Sequence, residues 1–215
     1  MCRTTHPATT TGSSGPRATS NSRLGRVTNN TGERLVWLDC EMTGLDLERD
    51  ELVEIACVVT EADLTVLDEG VSFVIRPSAA AMSHMPDVVR EMHTASGLLP
   101  EIPDGITVDE AQSKVLSYVQ SHIPTARKAP LCGSSIYVDR GFLAKYMPDL
   151  DAYLHYRVVD VSSIKELARR WYPKTYYAAP TKTGNHRALG DTLDSIAELA
   201  YYRQAIMTPL PSDQG

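Results

Sequence analysis

Leu35-Val-Trp-Leu-Asp39-Cys40-Glu41-Met-Thr-Gly44-Leu45-Asp46 is the stretch that decides how this chain folds. Leu35 to Leu38 form an unbroken apolar run, the pattern of a strand buried on both faces. Two carboxylates, Asp39 and Glu41, follow at once. Side chains alternate along a strand, so the pair shares one side. Like charges at the end of a buried strand repel each other and lose hydration. A divalent cation relieves both costs, and oxygen-only ligands suit Mg²⁺ or Mn²⁺ better than Zn²⁺. Two solvated acids in a strand-end turn would look the same locally, so other segments must supply further ligands. Gly44 lets the backbone turn tightly after the strand.

The chain has 215 residues, which fits one large domain, and 42% of them are hydrophobic, enough for a core. No apolar run approaches the roughly 20 residues of a membrane span, and the N-terminus lacks the apolar segment of a secretion signal. The cysteines Cys2, Cys40, Cys57 and Cys132 are scattered and form no Cys-x-x-Cys pair. Reduced thiols in a cytoplasmic protein are the simplest reading. A net charge of −6 argues against broad binding to long nucleic acid, but not against a short one held by metals and a few basic side chains.

Residues 1–32 are Thr, Ser, Gly, Asn and Pro with few apolar side chains, the composition of a disordered tail. One folded domain then spans 33–207, with a frayed tail at 208–215. After the first strand, Leu52 to Thr60 predicts a second and Thr65 to Ile75 a third. Their short connections favour an antiparallel meander. Glu54, inside the second strand, reads as a structural hydrogen-bonding carboxylate rather than a ligand. Residues 77–82 read as a loop, Pro86 to Thr94 as a helix with Gly97 as its C-cap, and Thr107 to Glu110 as a capping box. That box opens a helix carrying Ala111, Val115 and Val119 inward. Residues 129–133 predict a buried strand. Asp139 then opens a helix with Phe142, Leu143 and Tyr146 on one face, and its place after a buried strand makes it a candidate third ligand. Residues 156–161 predict another strand. A Ser163/Glu166 capping box would start the following helix, which ends before Pro173. Residues 172–183 read as a loop. Asn185 would cap a last helix with Leu189, Leu193, Ile196, Ala197 and Ala200 as its apolar stripe. Asp191 lies near the start of that helix, and His186 sits just before it.

Asp39-x-Glu41, Asp139 after a strand and His186-x-x-x-x-Asp191 together resemble the DEDDh family of 3′→5′ exonucleases. The wording at 39–46, 93–98 (His-Thr-Ala-Ser-Gly-Leu), 145–148, 155–157, 160–162 and 165–171 (Lys-Glu-Leu-Ala-Arg-Arg-Trp) is similar to the oligoribonucleases within it. The resemblance covers about residues 33–207. It implies an α/β, ribonuclease-H-like mixed sheet, three antiparallel strands extended by parallel ones and flanked by helices. It implies a homodimer acting on short RNA, dinucleotides above all, to release 5′-mononucleotides. Asp39, Glu41, Asp139 and Asp191 would hold two divalent cations, Mg²⁺ or Mn²⁺, about 4 Å apart. His186 would take the proton from the attacking water, as suits a side chain that titrates near neutral pH. By the same resemblance Leu45 wedges against the bases, and Ser135, Arg157 and Ser162 cap the 5′-phosphate. Tyr156 would reach in from the partner subunit, and His93 would touch the 3′ nucleotide. Two departures bear on affinity. Val88 stands where the family often has Trp, and Ser134 where it often has Asn. A proofreading or tRNA-trimming DEDDh exonuclease and a silent dinucleotide-binding module are the rival readings.

Overall fold

The computed structural model describes residues 34–182 and 186–207. The expected tails at 1–32 and 208–215 and the expected Asn185 cap lie outside these residues. The first strand, β1 (Leu35–Met42), is the middle of a five-stranded sheet. On one side it pairs antiparallel with β2 (Leu52–Thr60), which pairs antiparallel with β3 (Val71–Val74). On the other side it pairs parallel with β4 (Pro130–Gly133), and β4 with β5 (His155–Asp160). The order β3-β2-β1-β4-β5 is the expected mixed sheet.

β3 is shorter than the sequence predicts. Asp68 Oδ1 accepts the Gly70 N–H at 2.8 Å, and Gly70 adopts φ +72°, so a turn interrupts the run. Only isolated bridges, Thr60 with Val66 and Ile75 with Ile106, flank the surviving strand.

Alternation along β1 builds two cores. Val36, Leu38 and Cys40 face one layer of helices: α3 (Val108–His122), α4 (Tyr137–Tyr146) and α5 (Pro148–Tyr153). Trp37 faces the other: α6 (Val161–Trp171) and α8 (Ala188–Ile206). Asp39 and Glu41 continue the Trp37 side, so the strand period itself aims both acids at α8. The Thr107 hydroxyl accepts the Glu110 N–H, and Ala111, Val115 and Val119 are buried, as the capping box predicts.

Several local expectations give way. Residues 79–84 form α1 (Ala79–His84) rather than a loop, because the Ser78 hydroxyl caps it by accepting the Ala81 N–H. It leads to α2 (Asp87–Ala95), and Gly97 follows at φ +77°. A short α7 (Pro173–Tyr177) replaces the start of the expected 172–183 loop, with Pro173 in its first turn. Asp160, not Ser163, caps α6, and Glu166 pairs instead with Arg169 and Arg170. The buried face of α8 is also rotated from the expected stripe. Leu193 is 42% exposed, while Thr192, Ser195, Glu198 and Tyr202 are buried. Partners offset two of these burials: Thr192 Oγ1 donates to Ala188 O, and Lys165 Nζ lies 2.9 Å from Glu198. No helix among the described residues is long and apolar enough to cross a membrane.

Candidate active site

The five residues expected from the sequence meet at one end of the sheet. Asp39 and Glu41 come from β1. Asp139, in the first turn of α4, reaches back to the same strand, where its Oδ1 accepts the Cys40 N–H at 2.9 Å. Asp191 lies in the first turn of α8. Donor atoms of Glu41, His186 and Asp191 lie within 4.8 Å of one another, close enough to share a metal ion.

Burial drives the electrostatics of the group. It pushes the Asp39 carboxyl up to about 9, with Asp139, Glu41 and Asp191 adding repulsion. Glu41 is raised to about 8, again by burial first and then by Asp191 and Glu54. Burial lifts Asp139 to about 7 against the pull of its backbone hydrogen bonds, and raises Asp191 as well. Four acids crowded in one place with their charges uncompensated are the chemistry of a hard-cation site.

Glu54 is held differently, as the sequence suggests. It takes Arg187 Nη2 at 2.9 Å and the Ala188 N–H at 2.9 Å, so although it lies beside Glu41 its own charge is met by structural partners.

The expected substrate residues divide. Ser135 and Ser162 are together, with Ser135 Oγ donating to Ser162 Oγ at 3.1 Å. Asp160 makes that meeting possible by accepting the backbone N–H of both, at 3.0 and 2.9 Å. The sequence reading missed this role, although Asp-Val-Ser before a helix is an N-cap signal. Tyr156, 75% exposed, and Arg157 lie upstream on the edge strand β5, with the guanidinium over the tyrosine ring. Leu45, 73% exposed, stands on the turn after β1. That turn is fixed by the buried Asp50, which accepts from Thr43 Oγ1 and the Asp46 N–H. Its carboxylate sits 2.4 Å from where a Gly44 Cβ would be, so only glycine fits there.

His93 departs from expectation. Its ring is fully buried, Nε2 lies 2.9 Å from Met42 O, and Nδ1 lies 3.8 Å from Glu41. The ring packs between the end of β1 and Glu41 instead of presenting an open face, and Nδ1 has no hydrogen-bond partner among the described residues. Val88 is exposed at the start of α2. The Ser134 hydroxyl is engaged with Ser195 Oγ at 2.9 Å and with Lys182.

The model of the exonuclease family RNase_T matches residues 36–199. Exonuclease I, in the structure that suggests how processivity is achieved, superposes with a TM-score of 0.63 at 13% identity, covering 80% of this chain and 41% of that one. The E. coli exonuclease I complex with a dT13 oligonucleotide gives 0.61 at 14%, over 80% and 41%. This chain spans about two fifths of those chains, and the likeness establishes the ribonuclease-H-like fold. Fold and family model together define a nuclease of the exonuclease class.

Sequence similarity narrows the class. Oligoribonuclease of Streptomyces griseus is 59% identical over 179 residues, 83% of this chain and 89% of that one. That of Leifsonia xyli subsp. xyli is 61% identical over 181 residues, 84% and 87% of the two chains, and that of Mycobacterium leprae 52% over 180 residues, 83% and 84%. The chain belongs to the oligoribonuclease family and is a 3′→5′ exoribonuclease, a phosphodiester hydrolase.

Proposed function

We propose that this exoribonuclease removes nucleotides from the 3′ end of very short RNA, dinucleotides above all, by hydrolysis assisted by two divalent cations. The observation that carries the reading is the convergence of Glu41, His186 and Asp191 on the sheet face that also bears Asp39. The donors fit Mg²⁺ or Mn²⁺, because every carboxylate of the group is raised by burial first and then by neighbouring acids, and a hard cation offsets both. Asp39, Glu41, Asp139 and Asp191 would hold the cations, which when bound supply an activated water and stabilise charge at the leaving 3′-oxygen. An imidazole nitrogen of His186 takes the proton from water as its oxygen attacks phosphorus. The phosphodiester bond to the 3′-oxygen breaks and a 5′-mononucleotide leaves.

Length selection rests on the serine cluster. The hydroxyls of Ser135 and Ser162, fixed by Asp160, would receive the 5′-phosphate, with Arg157 adding charge. Leu45 would hold the bases apart. Exposed Tyr137 and Leu167 line one groove with this cluster and support a homodimer in which Tyr156 faces the partner's site. The free, buried thiols of Cys40, Cys57 and Cys132 support a cytoplasmic location.

A time course on 5′-labelled RNA of two, four and seven nucleotides, with Mn²⁺ and with EDTA, tests the reading. Metal-dependent loss of the dinucleotide ahead of the longer chains is expected. Equal or faster cutting of the longest chain would remove the phosphate cap and the dinucleotide role.

A further inference from the structure

His186 and Asp191 lie on either side of a residue that the chemistry above leaves unused. Arg187 extends its guanidinium between two carboxylates from different parts of the fold. Nε and Nη2 donate to Glu54 Oε1 on β2, at 3.1 and 2.9 Å. Nη1 and Nη2 donate to Glu101, just before the turn Ile102–Asp104, at 3.1 and 2.9 Å. The other Glu54 oxygen accepts the Ala188 N–H at 2.9 Å, so one carboxylate binds both the arginine and the first turn of α8. The Arg187 carbonyl in turn accepts the Asp191 N–H at 3.0 Å and starts the helix on which that acid sits.

The backbone on the other side needs holding. His186 adopts φ +49°, a left-handed conformation that a non-glycine residue keeps only where its surroundings impose it. α8 has no capping side chain of its own, so Glu54 supplies that bond from the sheet. The Glu54 side chain is only 2% exposed, which strengthens its pairing with the planar guanidinium fork.

We propose that Arg187, clasped by Glu54 and Glu101, is a positioning residue that fixes His186 and Asp191 against Glu41. The inference rests on the reading of these residues as a hydrolytic metal site. It places β2, a strand with no catalytic side chain, in control of the geometry at which a proton is taken and a cation is held. Loosening the clasp would let His186 relax out of its left-handed conformation and let the start of α8 shift. The cost falls on turnover and metal affinity, because Leu45 and the serine cluster lie on other segments.

The test uses the full chain with Arg187→Ala, Arg187→Lys, Glu54→Gln and Glu101→Ala. Dinucleotide kcat and KM, Mn²⁺ affinity by calorimetry, and the melting temperature are measured for each. Arg187→Ala is expected to lose about 10–100-fold in kcat and in Mn²⁺ affinity, the range seen when groups that orient metal ligands are removed. KM should change little. Arg187→Lys should recover only part, because an ammonium cannot bridge two carboxylates as a fork does. Glu54→Gln should fall in the same direction. Glu101→Ala, at the half-exposed end of the clasp, should lose about threefold in both and decides the matter if the deeper variants do not fold. Folded variants with the parent's kcat and Mn²⁺ affinity overturn the inference, as does a lowered melting temperature with unchanged kcat per folded molecule. If the parent protein fails to cut a dinucleotide, the proposed substrate is wrong, and the Mn²⁺ titration still decides the role of Arg187.

Discussion

Glu41 and Glu54 are register partners across β1 and β2, two buried glutamates side by side on one face of the sheet. Glu54 meets a guanidinium and a helix N–H. Glu41 meets Asp191, His186 and the underside of His93, and its carboxyl is pushed up to about 8. The strand places both in the same environment of burial and like-charge repulsion. Their neighbours make one a structural tie and leave the other available for a cation. A buried acid is therefore assigned by what answers its charge, not by its burial or by its residue type.

The sharpest way to break this contrast is to neutralise each glutamate in turn. Glu41→Gln should abolish detectable turnover and, in EDTA at about pH 8.5, raise the melting temperature, because it removes an uncompensated charge. Glu54→Gln should lower the melting temperature by several degrees, since it leaves Arg187 with half its pairing. Matching shifts in the two variants would erase the distinction. His186→Ala should come next in size, losing about 10²–10⁴-fold in kcat at neutral pH while the protein stays folded.

Metal-free protein should also respond to pH in a direction set by the raised acids. Well below pH 4 they are protonated in folded and unfolded chains alike. As pH rises the unfolded chain releases these protons first, while Asp139, Glu41 and Asp39 hold theirs to about 7, 8 and 9. The folded state binds more protons throughout that window, so its stability falls as pH climbs from about 4 to 9. Melting temperatures in EDTA should follow that slope, and excess Mn²⁺ should flatten it above about pH 7. The smallest effect sharpens the contrast from outside the acid group. Asp160→Ala frees both serine N–H groups and should raise dinucleotide KM about tenfold with kcat nearly intact.

The site was legible in the sequence because its signals are local. A buried run followed by Asp-x-Glu fixes side and strand together, and the later acids sit in the first turns of α4, which follows β4, and of α8. What the sequence hid depends on contacts between distant segments. Arg187 and Glu54 are 133 positions apart, and nothing near either one announces the other. The stripe of α8 was misplaced for the same reason. Glu198 is buried because Lys165 and Lys182 come to meet it from other elements. His93 carries the signature of a surface helix, yet the end of β1 lies against it, with Met42 O 2.9 Å from its Nε2. The short helices α1, α5 and α7 escaped because a few residues offer no periodicity to read.

Asp139 spends one oxygen on the Cys40 amide, a backbone proton lodged between Asp39 and Glu41 in sequence. That hydrogen strengthens as the carboxylate ionises and weakens as it takes a proton or gives electron density to a cation. In ¹⁵N-labelled protein the Cys40 resonance is thus a built-in gauge of the centre's charge, readable without substrate and without altering a single residue.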